Sequence, residues 1–227
     1  MSPEEIRDVA LASLALALSS AAIIALDLAG GKKQEAPVMN LVWPLTALYA
    51  GPFAVIAYFW FGGASRASRN MVRSRPSLFP KPPHWQQTVL SAAQAGAGSV
   101  LAGLLLGAAQ FHWGAVHRSL GDWYALATVA AFFLGLALQY FAVRSKRRLS
   151  PRERLWLAFK GDALGMLVFQ MGACAWLCVS AKALFDSEPD ANDLVFWFTM
   201  QLGMLVGLAL TYPVHWVLVR QGIKRPI

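Results

Sequence analysis

The stretch TVLSAAQAGAGSVLAGLLLGAAQF, Thr88 to Phe111, contains no charged side chain. A helix rises about 1.5 Å per residue and needs roughly 20 apolar residues to cross about 30 Å of hydrocarbon. This block supplies them without interruption. The apolar–polar alternation of a spanning strand is absent, so its backbone groups must be satisfied along a helix.

Five further blocks of the same kind flank it: Val9 to Leu28, Leu41 to Phe61, Trp123 to Val143, Leu155 to Leu184 and Leu194 to Val219. The fold read from them is all-α, an integral membrane bundle of six transmembrane helices forming a single domain over 1–227. Its expected spans are 9–28, 41–61, 88–111, 123–143, 155–184 and 194–219, with a cytoplasmic linker at 62–87. Composition agrees, at 57% hydrophobic and 14% charged, where soluble domains carry about 45–50% and about 25%. The start Met-Ser-Pro-Glu-Glu-Ile-Arg-Asp lacks the positive n-region of a secretory signal, so the first block reads as a retained span.

A formal charge of +8 could point to nucleic acid. The basic residues argue otherwise, because they lie in short segments between apolar blocks, where membrane proteins carry them to set orientation. With six spans, Arg7, Arg66 to Lys81, Arg144 to Arg154, and Arg220 to Arg225 fall on one side, and Lys32, Lys33 and Arg118 on the other. Both termini are then expected in the cytoplasm, and the protein in the inner (cytoplasmic) membrane. The acidic loop Asp186 to Asp193 fits the outer side, and Trp43, Trp85, Trp113, Trp123, Trp156 and Trp216 lie near span ends, where indoles favour the headgroup level.

Small residues four apart mark faces where membrane helices approach closely. Ala95, Ser99, Gly103 and Gly107 form such a row in the third span, Gly203 and Gly207 in the sixth, and the fifth adds Gly161, Gly165 and Gly172. These three spans are the expected centre. Pro44 and Pro52 interrupt the second span and Pro213 the sixth, each removing a backbone donor; such breaks border substrate sites in some transporters.

Asp162 and Lys160 are the ionisable residues within a span that say most, because intramembrane charge is costly and persists mainly when paired or functional. Lys160 can snorkel to the interface. Asp162 is too short for that and needs a partner, for which His215 and Tyr212 stand at similar depth. Gln94, Gln170 and Gln201, near mid-span, either bond across helices or line a polar path with Asp162. Gln110 and Gln139 belong to the same series.

Cys174 and Cys178, four apart on one helix, are weak soft-metal candidates, since buried cysteine more often serves as a small hydrophobe. His84, His112, His117 and His215 are spread over loops and span ends, which does not suit one metal centre. No phosphate loop or nucleophile elbow is present in the sequence, so no catalytic residue, no cofactor and no metal are expected.

Met39 to Pro52, the Lys160-Gly161-Asp162 element and the ending Tyr212 to Lys224 together resemble a bacterial polytopic membrane-protein family known as domain of unknown function 4396. The resemblance implies a small polytopic membrane protein and no defined activity. Many members carry His-Cys-Gly-Ala-Gly-Cys in the third span, suited to a soft metal. This chain has Gln94-Ala-Gly-Ala-Gly-Ser99 there, and His215 stands where Asn usually follows Tyr-Pro-Val.

The function these features favour is a small cation or proton transporter or channel-like protein. The alternative is a non-catalytic accessory subunit of a larger membrane complex, with a redox or metal-handling membrane protein third. Expected partners are the lipid bilayer and either further copies of the chain or that larger complex, and no nucleic acid.

Overall fold

The computed structural model describes residues 2–31, 34, 37–62, 83–113, 120–144, 150–183 and 193–224. Among them the elements are α1 (Pro3–Ala29), α2 (Met39–Ala50), α3 (Pro52–Ala57), a π-helical turn (Tyr58–Gly62), α4 (His84–Trp113), α5 (Leu120–Arg144), α6 (Pro151–Ala183) and α7 (Leu194–Arg220). Five of these, α1, α4, α5, α6 and α7, are long and apolar enough to cross a membrane. Local chemistry sets several of their starts. Ser2 and Glu5 form a capping box on α1, Ser150 and Glu153 pair at the start of α6, and Asp193 accepts from the Val195 amide to open α7.

The block expected as a second span is not a single helix. It breaks at Gly51, whose φ of 53 and ψ of −132 ends α2 and starts α3. The chain then turns back. The Trp43 and Tyr58 rings, near the two ends of the segment, meet edge to face with centroids 5.6 Å apart, and Tyr58 Oη donates to Asp27 in the last turn of α1 at 2.8 Å. Trp60 then packs on Trp85, in the first turn of α4, at 5.5 Å. Residues 39–62 therefore form a helical hairpin whose two ends lie together at one end of the bundle.

The hairpin's tip is stabilised by a contact that its own sequence makes necessary. In an unbroken helix Leu48 O would accept from residue 52, but Pro52 has no N–H. Gln201 Nε2 donates to Leu48 O instead, at 2.7 Å. Ser13 Oγ completes the bridge by donating to Gln201 Oε1 at 2.9 Å. The end of α1, through Asp27 and Tyr58, and the end of α7, through Lys224 and Ser91, both lie at the level where α4 begins, so α1 and α7 run parallel. The start of α1 and the end of α7, expected on one side, therefore stand at opposite ends of the bundle.

Three further expectations need revision. Pro213 lies inside a continuous α7. Trp43, placed at the interface by the sequence reading, is buried at 2% exposure beneath Tyr58. Helix α4 starts at His84, inside the stretch expected as linker; most of that linker, 63–82, and the acidic loop to Asn192 lie outside the described residues, as do Lys32, Lys33 and His117.

Helix α4 holds the centre, with the largest buried share of the five long helices and contacts to α2, α5, α6 and α7. Two of its glycines permit that position. A Cβ on Gly98 would stand 2.6 Å from Ala131 O and Gly135 N of α5, and one on Gly96 would stand 2.8 Å from both Phe169 and Tyr49. The expected row behaves unevenly. A Cβ added at Gly107 would stand 2.6 Å from the Trp197 ring, whereas one at Gly103 would meet nothing closer than 4.0 Å. The contact between α6 and α7 is the most extensive in the bundle; a Cβ on Gly172 would stand 3.0 Å from the Gly207 backbone and one on Gly207 would stand 2.6 Å from Phe169 O. A Cβ on Gly203 would stand 3.3 Å from Ala173 O, while Ala95 and Ser99 are buried on α4.

Candidate functional site

Asp162 is fully buried, and its partner comes from beyond the last helix. At the end of α7, Gly222 adopts φ 68, the left-handed cap a glycine takes without steric cost. The amides of Ile223 and Lys224 both donate to Leu218 O at 3.1 Å. This turn sends the Lys224 side chain back into the bundle, where the residue is only 2% exposed. Its Nζ donates to Asp162 Oδ1 and to Ser91 O of α4 at 3.2 Å. Burial pushes the Lys224 ammonium below the ordinary lysine value, with the Asp162 carboxylate opposing the shift.

His215 completes the cluster from α7, its Nε2 at 3.6 Å from Asp162 Oδ1. It fits because Gly165 on α6 has no side chain; an added Cβ would stand 2.3 Å from His215 Nε2. Thr211 ties the same level by donating to Gly165 O at 2.8 Å. Hydrogen-bonding capacity is left over. Asp162 Oδ2, both His215 ring nitrogens and Gln94 Oε1 are buried without a hydrogen-bond partner among the described residues. Buried polar groups in such number are ordinarily satisfied by protein or ordered water.

The structure joins some of the sequence's candidates and separates others. Of the two candidate partners, His215 stands beside Asp162. Lys160 does not, because it points outward from α6 and is exposed, as residues two apart on a helix must diverge. Tyr212 is half-buried and tilts against Trp216 at 6.1 Å instead. The glutamines do not line one path. Gln94 donates to Gln139 of α5 at 2.5 Å, Gln201 holds the hairpin tip, and Gln170 accepts from Ser99 at 2.5 Å while donating to Thr128 at 3.3 Å. The side chain of Gln110 lies outside the described residues. Lys224 was missed as a site residue, because a lysine in a basic tail reads as an orientation signal; Gly222, placed to reverse the chain, was the available clue.

Phe169 lies on α6 between Asp162 and Gln170 in the chain. It is fully buried, seated against Gly96 and Gly207, with the Tyr49 ring of the hairpin tip edge-on at 6.3 Å.

The family described as Domain of unknown function (DUF4396) matches residues 84–224. The chain belongs to this family. The DUF4396 match begins at the first residue of α4 and ends at Lys224, so it contains the whole Asp162–His215–Lys224 cluster. The hairpin, including the Met39 to Pro52 stretch, lies outside it. No curated protein and no solved structure matches the chain. DUF4396 membership, with five long apolar helices, makes this a multi-pass integral membrane protein of a family without a defined activity.

Proposed function

We propose that the protein moves protons or a small cation across the cytoplasmic membrane, with Asp162 as the group that exchanges charge and Lys224 as its tethered counter-ion. The observation that carries this reading is the buried carboxylate whose second oxygen, together with both nitrogens of His215, lacks a hydrogen-bond partner among the described residues. A lone carboxylate at such depth costs several kcal/mol. A purely structural pair would be expected to use all of its hydrogen-bonding capacity.

The exchange follows from charge balance. With Lys224 in place the pair is neutral. A proton on Asp162, or a cation held by its oxygens, performs the same neutralisation and frees Lys224 to swing out on its turn. His215 is placed to pass or accept the proton. The hairpin supports the reading, since irregular backbone at membrane depth persists where it is buried in protein or borders water.

The topology proposed with it has five crossings and the hairpin. Arg66 to Lys81, Arg144 to Arg154, Arg220 to Arg225, Lys32 and Lys33 then share the cytoplasmic side, leaving Arg7, Arg118 and Lys182 at the other. This keeps the positive-inside bias with the amino terminus outside and the carboxyl terminus inside.

The test is flux. Purified full-length protein in liposomes enclosing a pH-sensitive dye, under an imposed potential, should acidify or alkalinise the lumen faster than empty liposomes, and Asp162→Asn should abolish the difference. The same signal from empty vesicles, or full flux in Asp162→Asn, removes the reading.

A further inference from the structure

Beyond Phe169, away from the charged cluster, a cavity of about 20 Å³ lies between α4, α5, α6 and α7. That is room for one water-sized occupant. Its lining includes Ser99, Thr128, Gln170, Cys174, Met200 and Met204. Among the described residues no three of His, Cys, Asp and Glu group as a metal site, but three sulfur-bearing residues line this cavity. Met200 and Met204, one turn apart on α7 and both buried, line the cavity together with Cys174 of α6. Gly203 lies between the two methionines and lets α7 approach Ala173 O, next to Cys174.

We infer that this cavity is a site for a single soft monovalent metal ion, Cu(I) or its analogue Ag(I), held by the Cys174 thiolate and the Met200 and Met204 thioethers. Two arguments select that ion. Thiolate and thioether donors favour Cu(I), whereas Ca²⁺, Mg²⁺ and Mn²⁺ prefer oxygen. Charge then decides among soft ions. On binding, the Cys174 S–H bond breaks, its proton leaves to solvent and a metal–sulfur bond forms, so a monovalent ion replaces a proton without adding net charge. A divalent ion would leave an uncompensated positive charge in the apolar interior, which is costly.

The neighbouring hydrogen bonds suit a thiolate. Ser99 donates to Gln170 Oε1, and the Gln170 amide donates to Thr128 Oγ1. Thr128 thereby accepts, which leaves its own hydroxyl hydrogen for Cys174 Sγ at 3.7 Å. With the thiol protonated either atom can donate in that contact; with a thiolate only the hydroxyl can, so deprotonation fixes the direction of the chain toward the sulfur. Cys178, one turn on, is exposed and does not line the cavity, so it serves as an internal control.

The experiment is a titration of full-length protein in nanodiscs with Cu(I), kept reduced, against a colorimetric Cu(I) chelator. It is independent of transport, so its failure would leave the reading of Asp162 standing. One ion per chain is expected, retained in Cys178→Ser and lost in Cys174→Ser. Thr128→Val should weaken binding by about 10–100-fold, as loss of an outer-shell partner typically does. Met200→Leu and Met204→Leu conserve volume, so together they should lower affinity without altering the elution profile. In the unmodified chain, Ag(I) should protect Cys174 but not Cys178 from alkylation. The inference is overturned if no Cu(I) is bound, which would leave water as the occupant, or if Cys174→Ser binds as tightly as the parent. It is equally overturned if Cys178→Ser abolishes binding, or if Zn(II) binds more tightly than Cu(I).

Discussion

Trp43 and Tyr58 hold their rings edge to face, with centroids 5.6 Å apart, across the open end of a hairpin whose tip is Gly51. In one straight helix the same two residues would be separated by ~22 Å along the axis. Their contact turns an apolar block of spanning length into a hairpin, and every later helix changes direction relative to the amino terminus. The first prediction follows from that reversal. In a chain with Cys174 and Cys178 replaced, a single cysteine at Ser2 should react with a membrane-impermeant maleimide from one face of the membrane, and one at Ser68 or Ser74 from the other. Six crossings would place Ser2 and Ser68 together, so labelling of both from one face would refute the hairpin topology.

Gly51 should be intolerant of any side chain for a backbone reason alone. A Cβ there would meet nothing within 4 Å, so crowding plays no part. Its φ of 53 with ψ of −132 lies where residues other than glycine are strained, at a cost of about 1–3 kcal/mol. Gly51→Ala should lower the unfolding midpoint in detergent by a corresponding amount. Gly103→Ala, where a Cβ meets nothing closer than 4.0 Å inside regular helix, should leave it unchanged or raise it slightly. Equal effects of the two would show that the tip conformation is not strained for alanine.

The Asp162–Lys224 pair should behave as one unit. Removing one member of a buried pair leaves the other charge uncompensated, typically at about 3–5 kcal/mol. Lys224→Met alone should therefore destabilise the protein strongly, and Asp162→Asn combined with Lys224→Met should recover much of the loss. A double-mutant cycle on equilibrium unfolding measures this directly. Additive losses would mean that the two side chains do not interact in the folded protein.

Much of the architecture was legible because the constraint behind it is uniform. The blocks that became α1, α4, α5, α6 and α7 had to be helices, since lipid leaves no other partner for the backbone. Residues 41–61 were misread because apolar content is the same whether a segment crosses or returns. The local signal was the pair Gly51-Pro52, a residue free to take positive φ followed by one suited to a helix's first position. Asp162 was legible through the cost of its charge. Its partner was not, because pairing between residues at positions 162 and 224 depends on how α6 and α7 pack and on the Gly222 turn. The partners of Gln94, Gln170 and Gln201 depend on helix rotation in the same way, which no single block encodes.

Gln201 offers the sharpest test of how the hairpin tip is held. Pro52 leaves Leu48 O without its helical donor, and Gln201 Nε2 supplies one at 2.7 Å while its Oε1 accepts from Ser13 at 2.9 Å. An interhelical hydrogen bond in a membrane averages roughly 0.6 kcal/mol, and that is the loss expected for Ser13→Ala, which removes one hydroxyl. Gln201→Leu should cost more, because it strands a backbone carbonyl in apolar surroundings, a penalty of about 1–3 kcal/mol. It should also free the tip, so a cysteine at Leu48 should become more reactive to a small thiol reagent in Gln201→Leu than in Ser13→Ala. Comparing the two midpoints and the two labelling rates separates a carbonyl that needs its donor from an incidental contact. Matching values for the pair would show that the Leu48 carbonyl is satisfied by another group.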